Sequence, residues 1–499
     1  MGHSRLFLIS SLLWAWILIF SPAQASYRIS VQGNSLIPEA TLIDRLQGAQ
    51  SLDEIRSRAL RAYQNAGYPL IDVKVSNQEN QTSIRIRENT IKSIVIHDFP
   101  ESIANLVRTH FEGLLNRPDV RQEELEISTT KSSDYSGIRT QIELDQDVDG
   151  RYVLHVHGRY IKSFGSISIE NMPQYSQYGS LYLSQQYNSA VRAGDLLRGG
   201  VFLGHDFSQN SSAVQGTVYY RSPLSSAGLY FEGIAGSMHT GRLFDGTVPA
   251  NHFVGRGNQV IALFGYPILR DAHNFLYALQ EFEHKDGYSK NPDFQSESRV
   301  SASRTYLVFS HLNDDSESLR AGLSLSLGTA SHSSTPTYPD IYDKNFWHVR
   351  YGLGFTRHTD FVANNTAYKF EIIGQHTSSK VDPLEMFFLS DKNRLRGYAI
   401  GEGIGNRGIA NTHEFSFYNA VNGDTLQSVS PYLFFDVGHA HLTFQEVAYA
   451  KTLASSGIGA RFLFKNRLAI DGWLGVPLRD GWSTKKNDPA VFVRFSKAW

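Results

Sequence analysis

Two pairs of histidines and one glycine-rich stretch are the obvious places where this chain could do chemistry, and each falls short of a recognisable site. His155 and His157, like His439 and His441, are separated by one residue. On a strand that spacing puts both imidazoles on one face, where they could ligate a metal, but neither pair has a third ligand in view. Gly403-Ile404-Gly405-Asn406-Arg407-Gly408 has the spacing of a dinucleotide-binding fingerprint. It precedes a β pattern, however, where the fingerprint needs a helix N-terminus to hold the pyrophosphate. No Gly-x-Ser-x-Gly elbow, His-Glu-x-x-His zinc motif or phosphate loop occurs, and the chain has 0 Cys, which removes thiol nucleophiles, thiolate ligands and disulfides together. The expectation is a protein that is not an enzyme and holds no cofactor and no metal.

Whatever positions the remaining polar residues must be built from a chain of 499 residues with formal net charge -1, 41 Gly, 25 Tyr and 30 Phe. The charge offers no basic excess for nucleic acid. The N-terminus has a short basic start, Met1 to Arg5, an apolar run from Leu6 to Phe20, and Ala23-Gln24-Ala25. That is the layout of a secretory signal peptide over residues 1–25, with cleavage expected after Ala25. Beyond it no window holds about 18 consecutive apolar residues, so any passage through a membrane must be made by strands. Abundant Gly and aromatics with few apolar runs suit a barrel.

From Tyr27 to about Asn89 the pattern reads strand, helix, helix, strand, strand. Tyr27, Ile29 and Val31 alternate, and Gly33-Asn34 ends the strand. Pro38 to Leu46 reads as a short helix. Ser51 with Glu54 is a capping-box pattern that opens a second helix, with Ile55, Ala59, Ala62 and Tyr63 as its stripe and Gly67 as its stop. Ile71 to Val75 and Ser83 to Arg87 then alternate as two strands. The order recurs at once: Ile91 to His97 as a strand, about Glu101 to Asn116 and about Val120 to Ser133 as helices, and a hairpin of Ile138 to Leu144 with Arg151 to Arg159 around Asp147-Val148-Asp149-Gly150. Two consecutive βααββ units, 26–90 and 91–161, form a repeat. In architecture they resemble the polypeptide-transport-associated (POTRA) domain.

From about residue 162 to Trp499 the helical period disappears. Leu319, Ala321, Leu323, Leu325 and Leu327 alternate with Arg320, Gly322, Ser324, Ser326 and Gly328, and Trp347, Val349, Tyr351, Leu353 and Phe355 alternate with small or polar neighbours. One face meets lipid and the other water, which predicts a transmembrane antiparallel β-barrel of about sixteen strands, an even number, as bacterial barrels have. Short turns are expected at Ser222 to Ser226, Tyr266-Pro267-Ile268 and Lys465-Asn466, and a long one from Ser331 to Asn345. The alternating run Ala490 to Trp499 ends in an aromatic and reads as the closing strand.

The longest irregular segment late in the chain, about 378–410, carries Arg394-Leu395-Arg396-Gly397-Tyr398, and a strand follows with Tyr432, Phe434 and Asp436 on one face and Leu433, Phe435 and Val437 on the other. Since the second face suits lipid, Asp436 points into the lumen. With the two preceding POTRA-like units, this segment resembles the two-partner secretion transporters, the haemolysin and filamentous-haemagglutinin secretion family within the wider outer-membrane assembly superfamily. The resemblance implies a loop, marked by Arg396, Gly397 and Tyr398, that folds back into the barrel, and a wall strand Phe434-Phe435-Asp436-Val437-Gly438 whose Asp meets the Arg. A guanidinium offers the bidentate partner that a buried carboxylate needs, and Gly397 lets the backbone turn beside bulky neighbours.

Leu389-Ser390-Asp391-Lys392-Asn393 stands where the family commonly has a Gly-rich approach, and Leu395 where Val is usual. The first strand starts almost at the cleavage site, so no plug helix is expected ahead of it. The function implied by the resemblance is an outer-membrane pore that secretes a largely unfolded partner exoprotein, with POTRA domains in the periplasm capturing the client and the lumen loop gating the barrel. Its partners would be that exoprotein, outer-membrane lipid and, as candidates, periplasmic chaperones, with no nucleic acid. The alternative is an outer-membrane protein assembly or insertion factor, against which the count of two POTRA-like units argues. A passive porin would leave those units without a use.

Overall fold

The computed structural model describes residues 28–499 apart from 79–80, 173–174, 208–209, 226, 242–253, 272, 292, 314–316, 337–340, 360–364, 422 and 445–446. The expected signal peptide therefore lies outside the described residues. The chain divides into two compact units, one of α+β character and one built of strands around Arg159–Trp499.

The α+β unit holds two small sheets with their helices. In the first, β1 (Arg28–Gln32) pairs parallel with β3 (Gln81–Glu88), which pairs antiparallel with β2 (Ile71–Gln78). Helices α1 (Glu39–Leu46) and α2 (Leu52–Asn65) cover one face, where Leu42, Leu46, Ile55, Ala59 and Tyr63 bury against Val31, Val73, Ile84 and Ile86. The Ser51 cap forms as the spacing requires, its hydroxyl accepting from the Glu54 amide at 3.1 Å, while the Glu54 carboxylate reaches one residue beyond the cap and accepts from the Gln50 amide at 2.8 Å. Glu88, at the end of β3, ties the unit together. Its carboxylate accepts from the Ser35 hydroxyl, from the Ser35 and Leu36 amides at 2.7 and 2.8 Å, and from the Tyr63 hydroxyl at 2.8 Å.

The second sheet repeats the plan. β4 (Ile91–Ile96) lies parallel to the central β6 (Tyr152–Tyr160), with β5 (Ile138–Gln146) on the other side. Its helices are shorter than the periodicity predicts: α3 covers Glu101–Arg108, followed by a 3-10 turn at Glu112–Leu114, and α4 covers Gln122–Ser132. The Thr109 hydroxyl bonds back to Leu106, and Asn116, at φ 59°, donates its amide to Ile91 of the sheet, so the chain leaves the helix path to reach β4.

The second unit is a closed antiparallel barrel of sixteen strands, running from Ser163–Met172 to Ala490–Ala498, which pair with each other. Alternation sets its faces. Leu323, Leu325 and Leu327 are 51%, 46% and 57% exposed on the outside, while Ser324 and Ser326 are buried within. Leu433 and Phe435 point out; Tyr432, Phe434 and Asp436 point in and are buried.

Two expected connections differ. Tyr266-Pro267-Ile268 is not a turn but part of the strand Val254–Arg270, whose register with Asn274–Lys290 slips between Pro267 and Leu269. A bulge there accommodates a proline that cannot donate to the ladder. The strand Glu317–Thr335 runs past Ser331, so the long connection before Asn345 is shorter than the composition suggests. Among the described residues no helix is long and apolar enough to cross a membrane.

Candidate functional site

The segment between the strands Thr366–His376 and Arg407–Phe417 turns back against the inner wall. It is shorter than the expected 378–410, because Arg407 to Ala410 already belong to the ladder. Its apolar side chains bury on two patches of inward-facing residues. Phe387, Leu389, Leu395 and Tyr398 pack with Ala410, Ala440 and Leu453, and Val381 and Met386 pack with Val300, Ala302, Ala330 and Phe346. A short hairpin orders the tip: the Ser390 hydroxyl donates to the Ala399 carbonyl at 2.6 Å, and the Gly401 amide to the Ser390 carbonyl at 3.1 Å.

Arg396 is held on every side. Its Nε and backbone amide each donate to Asp436 Oδ2 at 3.0 Å, and Nη2 donates to Asp436 Oδ1 at 2.9 Å. Nη1 donates to Glu414 Oε2 at 2.8 Å, and the guanidinium lies 3.7 Å from the Phe434 ring centroid. Both carboxylates are buried, so a bidentate, doubly paired cation offsets their desolvation. The charge alternation continues along the wall. Arg461 Nη1 bridges Glu414 at 2.8 Å and stacks over Tyr432, Tyr432 donates to Asp471 at 3.1 Å, and Arg494 pairs with Asp471 at 3.1 Å.

Gly397 and Tyr398 complete the anchor. Gly397 adopts φ +102°, open to glycine alone without strain. Tyr398 is buried, and its hydroxyl lies 2.8 Å from the carbonyl oxygens of both Ala454 and Arg479. Gly438 leaves room for the loop: a Cβ there would come within 2.9 Å of Leu389 and Leu395. All five residues singled out from the sequence, Arg396, Gly397, Tyr398, Asp436 and Gly438, thus meet in one place.

A second anchor escaped the sequence reading. Glu385, fully buried in the loop, meets Lys285 at 2.8 Å, Arg304 at 2.6 Å and His348 at 2.7 Å, while its backbone carbonyl accepts from Gln375 at 3.0 Å and Arg350 at 3.2 Å. Its partners lie on strands far apart in sequence, and no motif links them. A third carboxylate, Glu402, accepts from the Ser483 and Thr484 amides at 2.8 and 3.2 Å and so joins the loop to the connection 478–489. Lys392 pairs with Glu170 on the first barrel strand.

The sign pattern is reciprocal. The loop offers an acid to bases on one part of the wall and a base to acids on another. Arg396, Glu385 and Lys392 each meet an opposite charge, and Glu402 is held by backbone amides and hydroxyls, an arrangement of anchors rather than of catalytic groups. The glycines Gly403, Gly405 and Gly408 make backbone room beside Leu389, Phe387 and the wall strand, not a phosphate cradle. His439 donates or accepts at Thr452 Oγ1, 2.8 Å away, while among the described residues the one cluster with metal-ligand spacing involves His155 and His157, in the other unit.

The profile of the haemolysin secretion/activation protein family ShlB/FhaC/HecB matches residues 166–462. Among solved structures the chain is similar to CdiB from Escherichia coli, with a TM-score of 0.71 at 15% identity over 95% of this chain and 90% of that one. CdiB from Acinetobacter baumannii gives 0.65 at 15% identity, covering 95% and 89%. The structure of BamA from Haemophilus ducreyi lacking POTRA domains 1-3 gives 0.55 at 12% identity, covering 95% and 99%. No curated protein sequence matches the chain significantly.

Proposed function

As a chain that belongs to the haemolysin secretion/activation protein family ShlB/FhaC/HecB, two-partner secretion transporters of the outer membrane, this protein, we propose, keeps its pore shut with the loop that Arg396 and Glu385 pin to the lumen wall. A secreted exoprotein is its partner and the outer membrane its location. The observation that carries the gating reading is the reciprocal clamp. A loop held by two buried charge clusters is rigid at rest, yet an incoming polypeptide that supplies competing charges and backbone hydrogen bonds can exchange for it without a net loss of pairing.

The two βααββ units, over about 26–90 and 91–161 after a cleaved leader of 1–25, serve on this reading as periplasmic POTRA domains. The observation in favour is the two three-stranded sheets, each with β1 or β4 at an edge. An extended client adds to such an edge through main-chain hydrogen bonds and needs no side-chain code. The unit nearer the barrel in sequence, about 91–160, receives the unfolded client first. Lipid covers the outer belt of leucines and aromatics; periplasmic chaperones deliver the client, and nucleic acid has no part. With no ATP in the periplasm, folding of the client outside prevents its return.

The experiment is secretion of a co-expressed candidate exoprotein in cells carrying wild type, Arg396→Ala or Asp436→Ala, with barrel folding followed by heat-modifiable gel mobility. A folded barrel with the client retained in the periplasm is the expected result. Intact secretion would remove the gating role of the clamp, and a fall in other outer-membrane proteins would replace it with a role in membrane-protein insertion.

A further inference from the structure

His155 and His157 gain in the fold the third imidazole that their sequence spacing lacks. β4 and β6 run parallel with Ile96 beside Val156, and the His97 amide donates to the Val156 carbonyl at 2.9 Å, so His97 arrives next to the β6 pair from 58 residues away in sequence. Leu154 and Val156 turn toward the helices and are fully buried. His155 and His157 occupy the opposite face of the sheet, partly exposed to water.

The three rings are packed as a stack. His97 and His157 have centroids 4.3 Å apart and planes 7° from parallel; His97 and His155 are 5.2 Å apart at 21°, with His97 Nε2 and His155 Nδ1 at 2.9 Å. One ring nitrogen from each lies within 4.8 Å of the others. Carboxylates surround them: Asp145 stands 3.7 Å from His155 Nε2, Asp98 3.8 Å from His157 Nδ1, and Glu143 4.0 Å from His157 Nε2. Asp98 comes to hand because the chain turns there at φ 64°.

We propose that His97, His155 and His157 bind one divalent transition-metal ion of the zinc, nickel or copper class. Imidazole is the ligand such ions select, and three of them leave a fourth position for water or a neighbouring carboxylate. Bonds of about 2.0–2.1 Å in a tetrahedral site put ligand nitrogens roughly 3.3 Å apart. Small ring rotations on a solvent-facing sheet surface close the remaining distance, and the ion replaces the proton shared between His97 and His155. Asp145 is placed to accept from the outward His155 Nε2–H, and Asp98 or Glu143 from whichever His157 nitrogen does not hold the ion, which fixes those tautomers as outer carboxylates do around metal-bound histidines. The ion would fasten the end of edge strand β4 to the central strand β6. None of the three imidazoles contributes to the apolar core of the α+β unit.

The test uses the full chain without a polyhistidine tag, in detergent, stripped with chelator and titrated with zinc chloride and cobalt chloride. Wild type is expected to take one tight equivalent of zinc, each of His97→Gln, His155→Gln and His157→Gln to weaken it by about 10–100-fold, and Asp145→Asn to weaken it less. Cobalt should give the intense visible bands of a four- or five-coordinate site in wild type and lose them in the triple variant. Zinc K-edge absorption of the wild type, which needs no variant to fold, should report three imidazole nitrogens. Equal zinc binding by wild type and triple variant, or a first shell of six oxygens, would overturn the proposal.

Discussion

The backbones of Gly397 and Gly475 touch: a Cβ on Gly475 would lie 2.8 Å from the Gly397 amide nitrogen, and a Cβ on Gly397 would lie 2.9 Å from the Gly475 carbonyl carbon. The loop therefore rests on the strand Leu468–Pro477 main chain to main chain, with Arg396 aimed from that contact at Asp436.

Gly475→Ala is expected to lift the loop from the wall without disturbing the strand, at a cost of about 1–3 kcal/mol for the overpacked contact. Gly397→Ala adds a methyl group in the positive-φ region and should be worse. Both should fold as heat-modifiable barrels and leak small solutes into the periplasm. Unchanged permeability in Gly475→Ala would show that the contact does not hold the loop.

Arg396→Ala leaves Asp436 buried without its cation and Glu414 with Arg461 alone, a loss of about 3–5 kcal/mol for the broken buried pair. The temperature at which the folded band disappears should fall. Arg396→Lys should recover part of the loss only, because an ammonium cannot span Asp436 and Glu414 with a planar fork. Combining Arg396→Ala with Asp436→Asn should restore some stability; a double variant no better than the single one would sink this account.

Glu385→Gln keeps the size of the side chain but releases Lys285, Arg304 and His348 from a common anion. Single-channel recordings in planar bilayers should show longer open periods than wild type, with insertion unchanged. Identical gating would mean that the second anchor is only packing.

The pH dependence of the first α+β sheet should centre on Glu88. Burial alone would raise its carboxyl, but donors from Ser35, Leu36 and Tyr63 outweigh burial and hold it below the ordinary 4.5. A depressed carboxyl stabilises the fold fully above its unfolded value and ceases to do so as pH falls through the folded one. Amide protection factors around Gly33 to Ile37, taken against the intrinsic exchange rate at each pH, should therefore be high at neutral pH and fall below about pH 4.5, and Glu88→Gln should remove that dependence. An unaltered profile in the variant would assign the transition to another group.

How much of this was legible in the sequence depended on distance along the chain and on period. The βααββ repeats, the alternating strands and the closing strand declared themselves because each signal is local. Arg396 and Asp436 could be read together because the family resemblance implies the pair and the alternation of faces independently turns Asp436 into the lumen. Glu385 could not, because Lys285, Arg304 and His348 sit on three different strands and meet it only when the loop, 37 or more residues further along the chain, folds back against them. His97 was hidden for the same reason, brought to His155 by a parallel pairing that no local pattern encodes. Pro267 misled in the opposite direction: proline and its neighbours read as a turn, and the strand absorbs them through a bulge.

Opposite signs at the two anchors make the loop a leash with two separate catches. A client segment rich in acids competes for Lys285 and Arg304 but not for Asp436; one rich in bases does the reverse. If the Arg396 catch slips together with the Lys392 and Glu402 contacts, the 21 residues from Met386 to Asn406 stay moored at Glu385 and at the strand Arg407–Phe417. At full extension that stretch measures roughly 70 Å, so with both ends held its middle can swing out by about half of that, roughly 35 Å, and return to the same seat once the cargo has gone.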